Sequence, residues 1–171
     1  MNDEKFNHTY RIASARAPWH DYNGGAYFIT ICTQNHEHFF GEIENGEMHL
    51  SAVGRHANEC IGRIAEHHPY AQIPLYVVMP NHIHLIVMIS EPDTRQAIQE
   101  SPRKGRSILS KVVGYIKMNA SKAIRRQYGD VTVWQRGYHD HVIRNRDDYE
   151  MIAKYIHENP LRWKLDKFYT E

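Results

Sequence analysis

The segment VVMPNHIHLIVMI, residues 77–89, limits the possible folds of this chain more than any other segment. Pro80 and Asn81, two residue types that favour tight turns, separate the apolar runs IPLYVVM and HIHLIVMI. Both runs are short and rich in large or β-branched apolar residues, which is typical of strands in a sheet core. Since so short a turn can connect only antiparallel neighbours, the segment predicts an antiparallel sheet at the centre of the fold.

Further strands and helices are predicted on either side of this strand pair. GAYFITICT (25–33) predicts a third buried strand, and Asn45-Gly46 between two short alternating runs predicts a hairpin with a type I′ turn. A short strand is expected within VTVWQRGYHDHVI (131–143), and residues 91–105 read as a polar connection. Apolar residues at helical spacing predict helices within residues 51–69, 107–129 and 145–159.

The order of these elements predicts an α+β fold. The simplest arrangement is ferredoxin-like, or split βαβ, with a central antiparallel sheet covered by helices. Because folds of this kind host many functions, the function has to be argued from the site residues.

Length and composition indicate one soluble domain over residues 1–171, with a polar N-terminal arm (1–24) and a short C-terminal tail (164–171). The 171 residues are 42% hydrophobic and 24% charged, which is ordinary for a globular domain. No apolar run is long enough to span a bilayer and the N-terminus lacks a signal-peptide core, so we expect a cytoplasmic protein without a membrane partner. Cys32 and Cys60 stand alone, which argues against a disulfide framework or a cysteine-based zinc site.

One stretch of the chain is strongly basic although the net charge is only +1. Residues 101–129 contain no Asp or Glu, and such a local excess of cations indicates an anionic partner. A solvated helix face is the alternative, but it lacks the acidic residues that would pair with these cations along a helix. The residues predicted to contact this anionic partner are Arg103, Lys104, Arg106, Lys111, Lys117, Lys122, Arg125 and Arg126.

The His-x-His pattern carries little information by itself. With 13 histidines in 171 residues, roughly one such pair is expected by chance, and the chain has three: 36/38, 82/84 and 139/141. His82 and His84 differ from the others because they lie in a predicted strand, where side chains two apart share a face. Two imidazoles on one rigid face can hold a cation, although a hydrogen-bonded structural pair remains open.

The last predicted helix places two further functional groups in line. Tyr155 and Asn159 are one helical turn apart, near the margin of the apolar stripe, so a phenol and an amide could reach a site at the edge of the sheet. A packing tyrosine and a helix-terminating asparagine are the simpler alternatives.

These motifs together resemble a known family. MPNHIHLIV, followed by VWQRGYHDHVIRNRDDYEMIAKYIHENPLRW, is similar to the single-tyrosine HUH transposases of insertion sequences, and most similar to the REP-associated tyrosine transposase branch. The resemblance covers roughly residues 26–163. It implies that His82 and His84 are metal ligands, that Tyr155 is the catalytic nucleophile, and that Asn159 is a third, amide ligand.

The resemblance also implies that the anionic partner of the basic residues in 101–129 is DNA, and it implies an activity. A Mg²⁺ or Mn²⁺ ion would polarise a phosphate of single-stranded or hairpin DNA, and Tyr155 would attack it to give a 5′-phosphotyrosine and a free 3′-OH. Insertion-sequence members form dimers whereas REP-associated members can be monomers, so a homodimer is possible but not fixed. Two alternatives stay open: a non-catalytic nucleic-acid-binding module, and a metal nuclease that uses water instead of Tyr155.

Overall fold

The computed structural model describes residues 5–6, 9–10, 24–90 and 107–170. The predicted connection 91–105 and three of the predicted DNA-contacting residues (Arg103, Lys104 and Arg106) lie outside the described residues. The strands are β1 (Lys5–Phe6), β2 (Thr9–Tyr10), β3 (Gly25–Cys32), β4 (Gly41–Glu44), β5 (Glu47–Leu50), β6 (Ala71–Val78), β7 (His82–Ile89) and β8 (His139–Ile143). The α-helices are α1 (Ala52–Gly62), α2 (Ile64–His67), α3 (Ile108–Tyr128) and α4 (Arg146–Glu158).

A four-stranded antiparallel sheet forms the centre of the fold. Its strand order is β6-β7-β3-β8, and every neighbouring pair is antiparallel. The chain order β3-α1-β6-β7-α3-β8 together with this strand order is the ferredoxin-like, split βαβ arrangement. The predicted fold class is therefore confirmed.

The two faces of the sheet are covered by different helices. On one face Ile83, Leu85 and Val87 of β7 join a large core with the buried sides of α1 and α3. On the other face Ile86 packs against Ile152 and Ile156 of α4. Because strand side chains alternate, His82 and His84 share the α4 face with Ile86. Within the described parts of the chain, no helix is long and apolar enough to cross a membrane.

Side-chain caps define where the helices begin. Ser51 precedes α1 and its hydroxyl accepts from the Gly54 N–H, and Asn145 precedes α4 and its side-chain oxygen accepts from the Asp148 N–H at 2.9 Å. α4 ends at Glu158, directly before Asn159 and Pro160. The helix that carries Tyr155 is thus fixed at both ends by local sequence.

The predicted hairpin is formed by β4 and β5. Its turn residues Asn45 and Gly46 have φ angles of 52° and 80°, the positive values that a type I′ turn requires. Gly46 lies against Leu161, where a Cβ atom would come within 2.8 Å of the leucine side chain. The hairpin tip therefore contacts the turn that follows α4.

Candidate metal and tyrosine site

The two histidines lie at the beginning of β7 and are almost completely buried, with 0% and 1% of their surface exposed. Their rings are 4.4 Å apart between centroids, so both can contact one small ligand. In the sheet, His82 pairs with Cys32 and His84 pairs with Thr30 of β3. The prediction that both imidazoles share one face of the strand is confirmed, and the structure shows that this is the face covered by α4.

Asn81 fixes the orientation of the His82 ring. Its Nδ2 donates to the Phe168 carbonyl at 2.8 Å, which leaves its Oδ1 as an acceptor 2.8 Å from His82 Nδ1. An amide oxygen only accepts, so His82 Nδ1 carries the proton and Nε2 carries the lone pair. This turn residue therefore has a second role that its turn propensity did not indicate.

His84 connects the sheet to the tyrosine. Its Nδ1 is 2.8 Å from Thr30 Oγ1, and its Nε2 is 3.3 Å from the Tyr155 hydroxyl. The threonine hydroxyl can donate or accept, so it can accompany either neutral tautomer of His84. The Nε2 atom of His84 can therefore offer its lone pair to a metal ion once the Tyr155 hydroxyl bonds to another group.

Asp166, in the segment after α4, links the tyrosine to the amide. Its Oδ2 accepts from Tyr155 Oη at 3.2 Å and from Asn159 Nδ2 at 2.9 Å, and its Oδ1 accepts from the Phe168 N–H at 2.7 Å. Since Nδ2 of Asn159 is held by the carboxylate, its Oδ1 must point the other way. Asp166 therefore sets which atom of the Asn159 amide is available.

Two buried atoms of the site are left unpartnered. Neither His82 Nε2 nor Asn159 Oδ1 has a hydrogen-bond partner among the described residues. A buried polar atom without a partner costs free energy, and where several converge a ligand is a common explanation. Both atoms are lone-pair donors, so the ligand they fit is a cation.

Burial keeps both imidazoles neutral. It lowers the pKa of His82 to about 4, and the neighbouring Asp166 carboxylate offsets only part of this effect. Burial also holds the pKa of His84 well below its usual value, and protonation of the neighbouring His82 would lower it further. Metal ions bind neutral imidazoles, so both histidines are in the metal-binding form at neutral pH.

The described residues contain one cluster of histidine and carboxylate groups suited to a metal ion: His82, His84 and Asp166, with ligand atoms all within 4.8 Å of one another. Imidazole nitrogens, an amide oxygen and a carboxylate in this arrangement fit a divalent ion such as Mn²⁺ or Mg²⁺. The donor set therefore fits the predicted metal, whose identity it does not determine.

The phenol of Tyr155 is protonated at neutral pH. Burial and the Asp166 carboxylate raise the pKa of Tyr155 to about 12. The side chain is nevertheless 39% exposed, so a ligand arriving from solvent can reach its oxygen. Tyr155 lies at the margin of the α4 apolar stripe, as predicted, with its hydroxyl directed at His84.

The predicted basic surface lies mainly elsewhere. α3 packs on the sheet face opposite to the histidines, and its exposed cations Lys111, Lys122, Arg125 and Arg126 therefore do not line the site. Their role as DNA contacts stays a prediction.

Lys117 differs from the other cations of α3. It donates to the carbonyls of Gln135 and Gly137 at 3.0 and 2.5 Å and lies 5.7 Å from the centre of the Trp134 ring. Burial lowers the pKa of its ammonium group. Lys117 thus holds the loop before β8, besides any contact with DNA.

Comparisons with known proteins find relatives that cover most of the chain. A Haemophilus influenzae protein of uncharacterised function is 36% identical over 156 residues, covering 86% of each chain. A REP-associated tyrosine transposase of the same organism is 24% identical over 149 residues, covering 81% of this chain and 72% of the relative. No protein-family profile matches the chain.

The fold also occurs in a solved structure, a REP-associated tyrosine transposase bound to a REP hairpin. Its TM-score is 0.62 at 22% identity, over 89% of this chain and 76% of that one. A central antiparallel sheet flanked by helices in this arrangement is thus a fold that a transposase has. The chain is thus similar in sequence to one REP-associated tyrosine transposase and in fold to another, which supports a transposase family.

Proposed function

We propose that this protein cleaves and rejoins single-stranded DNA through a covalent 5′-phosphotyrosine at Tyr155, in a reaction that needs a divalent metal ion. One observation carries the proposal: the Tyr155 hydroxyl is 3.3 Å from His84 Nε2, beside the unpartnered His82 Nε2 and Asn159 Oδ1. A nucleophile next to a set of lone-pair donors is the arrangement that phosphoryl transfer requires.

His82, His84 and Asn159 would hold Mg²⁺ or Mn²⁺. When bound, the ion would polarise the non-bridging oxygens of the scissile phosphate and neutralise the developing charge. Asn81 and Thr30 fix the two imidazole rings, and Asp166 turns the Asn159 oxygen inward, so the ligands are oriented before the metal and the DNA bind.

The chemical step exchanges one phosphodiester for another. The Tyr155 oxygen forms a bond to phosphorus as the bond from phosphorus to the 3′-oxygen breaks, which leaves the 5′ end on the tyrosine and frees a 3′-OH. The phenolic proton, which hydrogen-bonds to Asp166 Oδ2, ends on the departing 3′-oxygen. A 3′-OH can reverse the attack, so the strand is rejoined without an external energy source.

Hairpin DNA from palindromic repeats is the proposed substrate. The structural relative at TM-score 0.62 was solved with a REP hairpin, and the curated relative is a REP-associated transposase. The exposed cations of α3 would contact hairpin phosphates on the opposite side of the sheet, an affinity that falls with salt. A homodimer and a cytoplasmic location stay predictions.

The proposal is tested by incubating the protein with Mn²⁺ and labelled hairpin oligonucleotides from the repeats near its gene. Wild type should form a protein–DNA adduct that survives denaturing electrophoresis, and Tyr155→Phe should form none while still binding DNA. Tyr149→Phe is the matched control, because Tyr149 packs on the same helix against the sheet. It should retain the adduct.

The two alternatives give different results in this assay. Cleavage that persists in Tyr155→Phe without any adduct would assign a hydrolytic nuclease that uses water. DNA binding without cleavage, by wild type with either metal, would assign a non-catalytic binding module.

A further inference from the structure

A cleft adjoins the metal and tyrosine site and begins at Tyr155. It lies between α4 and the segment 162–167 and has a volume of about 450 Å³. Tyr155, Asn159 and Asp166 line it as well as the site, so the cleft is continuous with the reacting hydroxyl. A ligand in this cleft would therefore lie next to the group that Tyr155 attacks.

Two apolar side chains line the cleft although they are largely exposed. Met151 has 65% and Leu165 has 85% of its surface exposed. Covering such side chains with a flat apolar ligand removes them from water at about 25 cal/mol per Å². Every nucleobase has a flat face of this kind, so apolar contact with such side chains does not depend on which base is bound.

The charged groups of the cleft suit the rest of a nucleotide. Glu158 is paired with Arg162 at 3.0 Å and with Lys154 at 3.8 Å, so it offers an acceptor beside two donors for the edge of a base. Lys167 has no carboxylate partner among the described side chains, and its ammonium lies 4.6 Å from the centre of the Phe168 ring. Lys167 also lines the cleft together with Tyr155 and Asp166, so the cleft holds a cation that a phosphate can contact.

We infer that this cleft binds one unstacked nucleotide of the DNA strand, the nucleotide adjoining the scissile phosphate. The base lies against Met151 and Leu165, its edge meets Glu158 and Arg162, and a phosphate meets Lys167. The volume is near the lower end of the range for small-ligand sites, about 300–1,000 Å³, which suits one nucleotide and not a paired stem. This occupant rests on the proposed function, since the strand that reaches Tyr155 has to pass the cleft.

The inference can be tested by methyl NMR without metal or cleavage. Protein labelled on its six methionine methyl groups is titrated with dTMP, dAMP, thymidine and inorganic phosphate. Met118, 50% exposed on α3, serves as an internal control, and Met151→Leu assigns the signal. Both nucleotides should shift the Met151 methyl upfield, as a stacked ring does, whereas phosphate should not.

Matched leucine variants then locate the contact. Leu165→Ser should weaken dAMP binding about fivefold, which corresponds to the loss of about 40 Å² of apolar contact. Leu161→Ser, a leucine 71% exposed that lies outside this cleft, should leave it unchanged. Lys167→Gln should weaken dTMP but not thymidine, because only dTMP carries the phosphate.

Three results would overturn the inference. The first is a Met151 methyl signal that does not move at about 10 mM nucleotide, which is the weakest binding of interest here. The others are a Met118 signal that moves as far as the Met151 signal, and an equal loss of dAMP affinity in the two leucine variants. The titration involves no chemical reaction, so the two proposals can fail separately. Nucleotide binding without an adduct would support the cleft and refute the proposed function. Adduct formation without a change at Met151 would support the proposed function and refute the cleft.

Discussion

Replacing Asn81 with alanine should weaken metal binding more than it weakens the fold. The side chain is fully buried and holds His82 Nδ1–H at 2.8 Å, which keeps the Nε2 lone pair directed into the site. Loss of a residue that orients a metal ligand typically lowers metal affinity by about 10–100-fold. That range corresponds to about 1.4–2.8 kcal/mol of binding free energy.

The cost to stability can be estimated from the same contacts. Asn81→Ala leaves the His82 Nδ1–H buried without an acceptor, which costs about 1–3 kcal/mol in the free energy of unfolding. The Phe168 carbonyl also loses its donor, but it is only partly buried and can turn to water. The variant should therefore remain folded and measurable.

The assay pairs urea unfolding with a Mn²⁺ titration followed by calorimetry. Asn119→Ala is the control, because Asn119 also donates its amide to a carbonyl, at 2.9 Å within α3 on the opposite side of the sheet. It should bind Mn²⁺ like wild type. If folded Asn81→Ala also bound Mn²⁺ with wild-type affinity, the assignment of His82 Nε2 as a metal ligand would be refuted.

Three other predictions follow from the contacts described above. Thr30→Val removes the hydroxyl 2.8 Å from His84 Nδ1 and should lower Mn²⁺ affinity by about 10–100-fold, measured by the same titration. Gly54→Ala should lower the urea midpoint sharply, because the new Cβ would overlap the Phe40 carbonyl oxygen in a tightly packed part of the fold. Since burial raises the pKa of Tyr155 to about 12, the single-turnover rate of adduct formation should rise with pH, by about tenfold per unit if the phenol loses its proton before attack. A rate independent of pH between 7 and 9 would instead show that proton loss does not limit the reaction.

Much of the fold and part of the site could be predicted because local chemistry determined them. The alternation of β7 sets the face of His82 and His84 without knowledge of the rest of the chain. The one-turn spacing of Tyr155 and Asn159 likewise determines that both point in the same direction. Asn45-Gly46 specifies its turn because two positive φ angles exclude most other residue pairs.

Features that depend on the path of the chain could not be predicted in this way. Asp166 lies seven residues beyond Asn159, where no helix or strand periodicity indicates which way its side chain points. The basic residues of α3 were predicted to contact DNA, but the sequence did not indicate that α3 and α4 pack on opposite faces of the sheet. The crossover connections through α1 and α3 place these two helices on one face, which leaves the other face to α4. The sequence predicted Lys117 only as a DNA contact, because its two carbonyl acceptors are distant in sequence.

The central claim, that Tyr155 becomes covalently joined to DNA, is tested most directly by peptide mass spectrometry. Wild-type protein is incubated with Mn²⁺ and a hairpin oligonucleotide labelled on the 3′ side of the cleavage position, and is then digested with protease and nuclease. The account predicts a nucleotide phosphate on the peptide containing Tyr155, carrying the 3′-side label. Cleaved DNA with unmodified Tyr155, or an adduct on another residue, would contradict it.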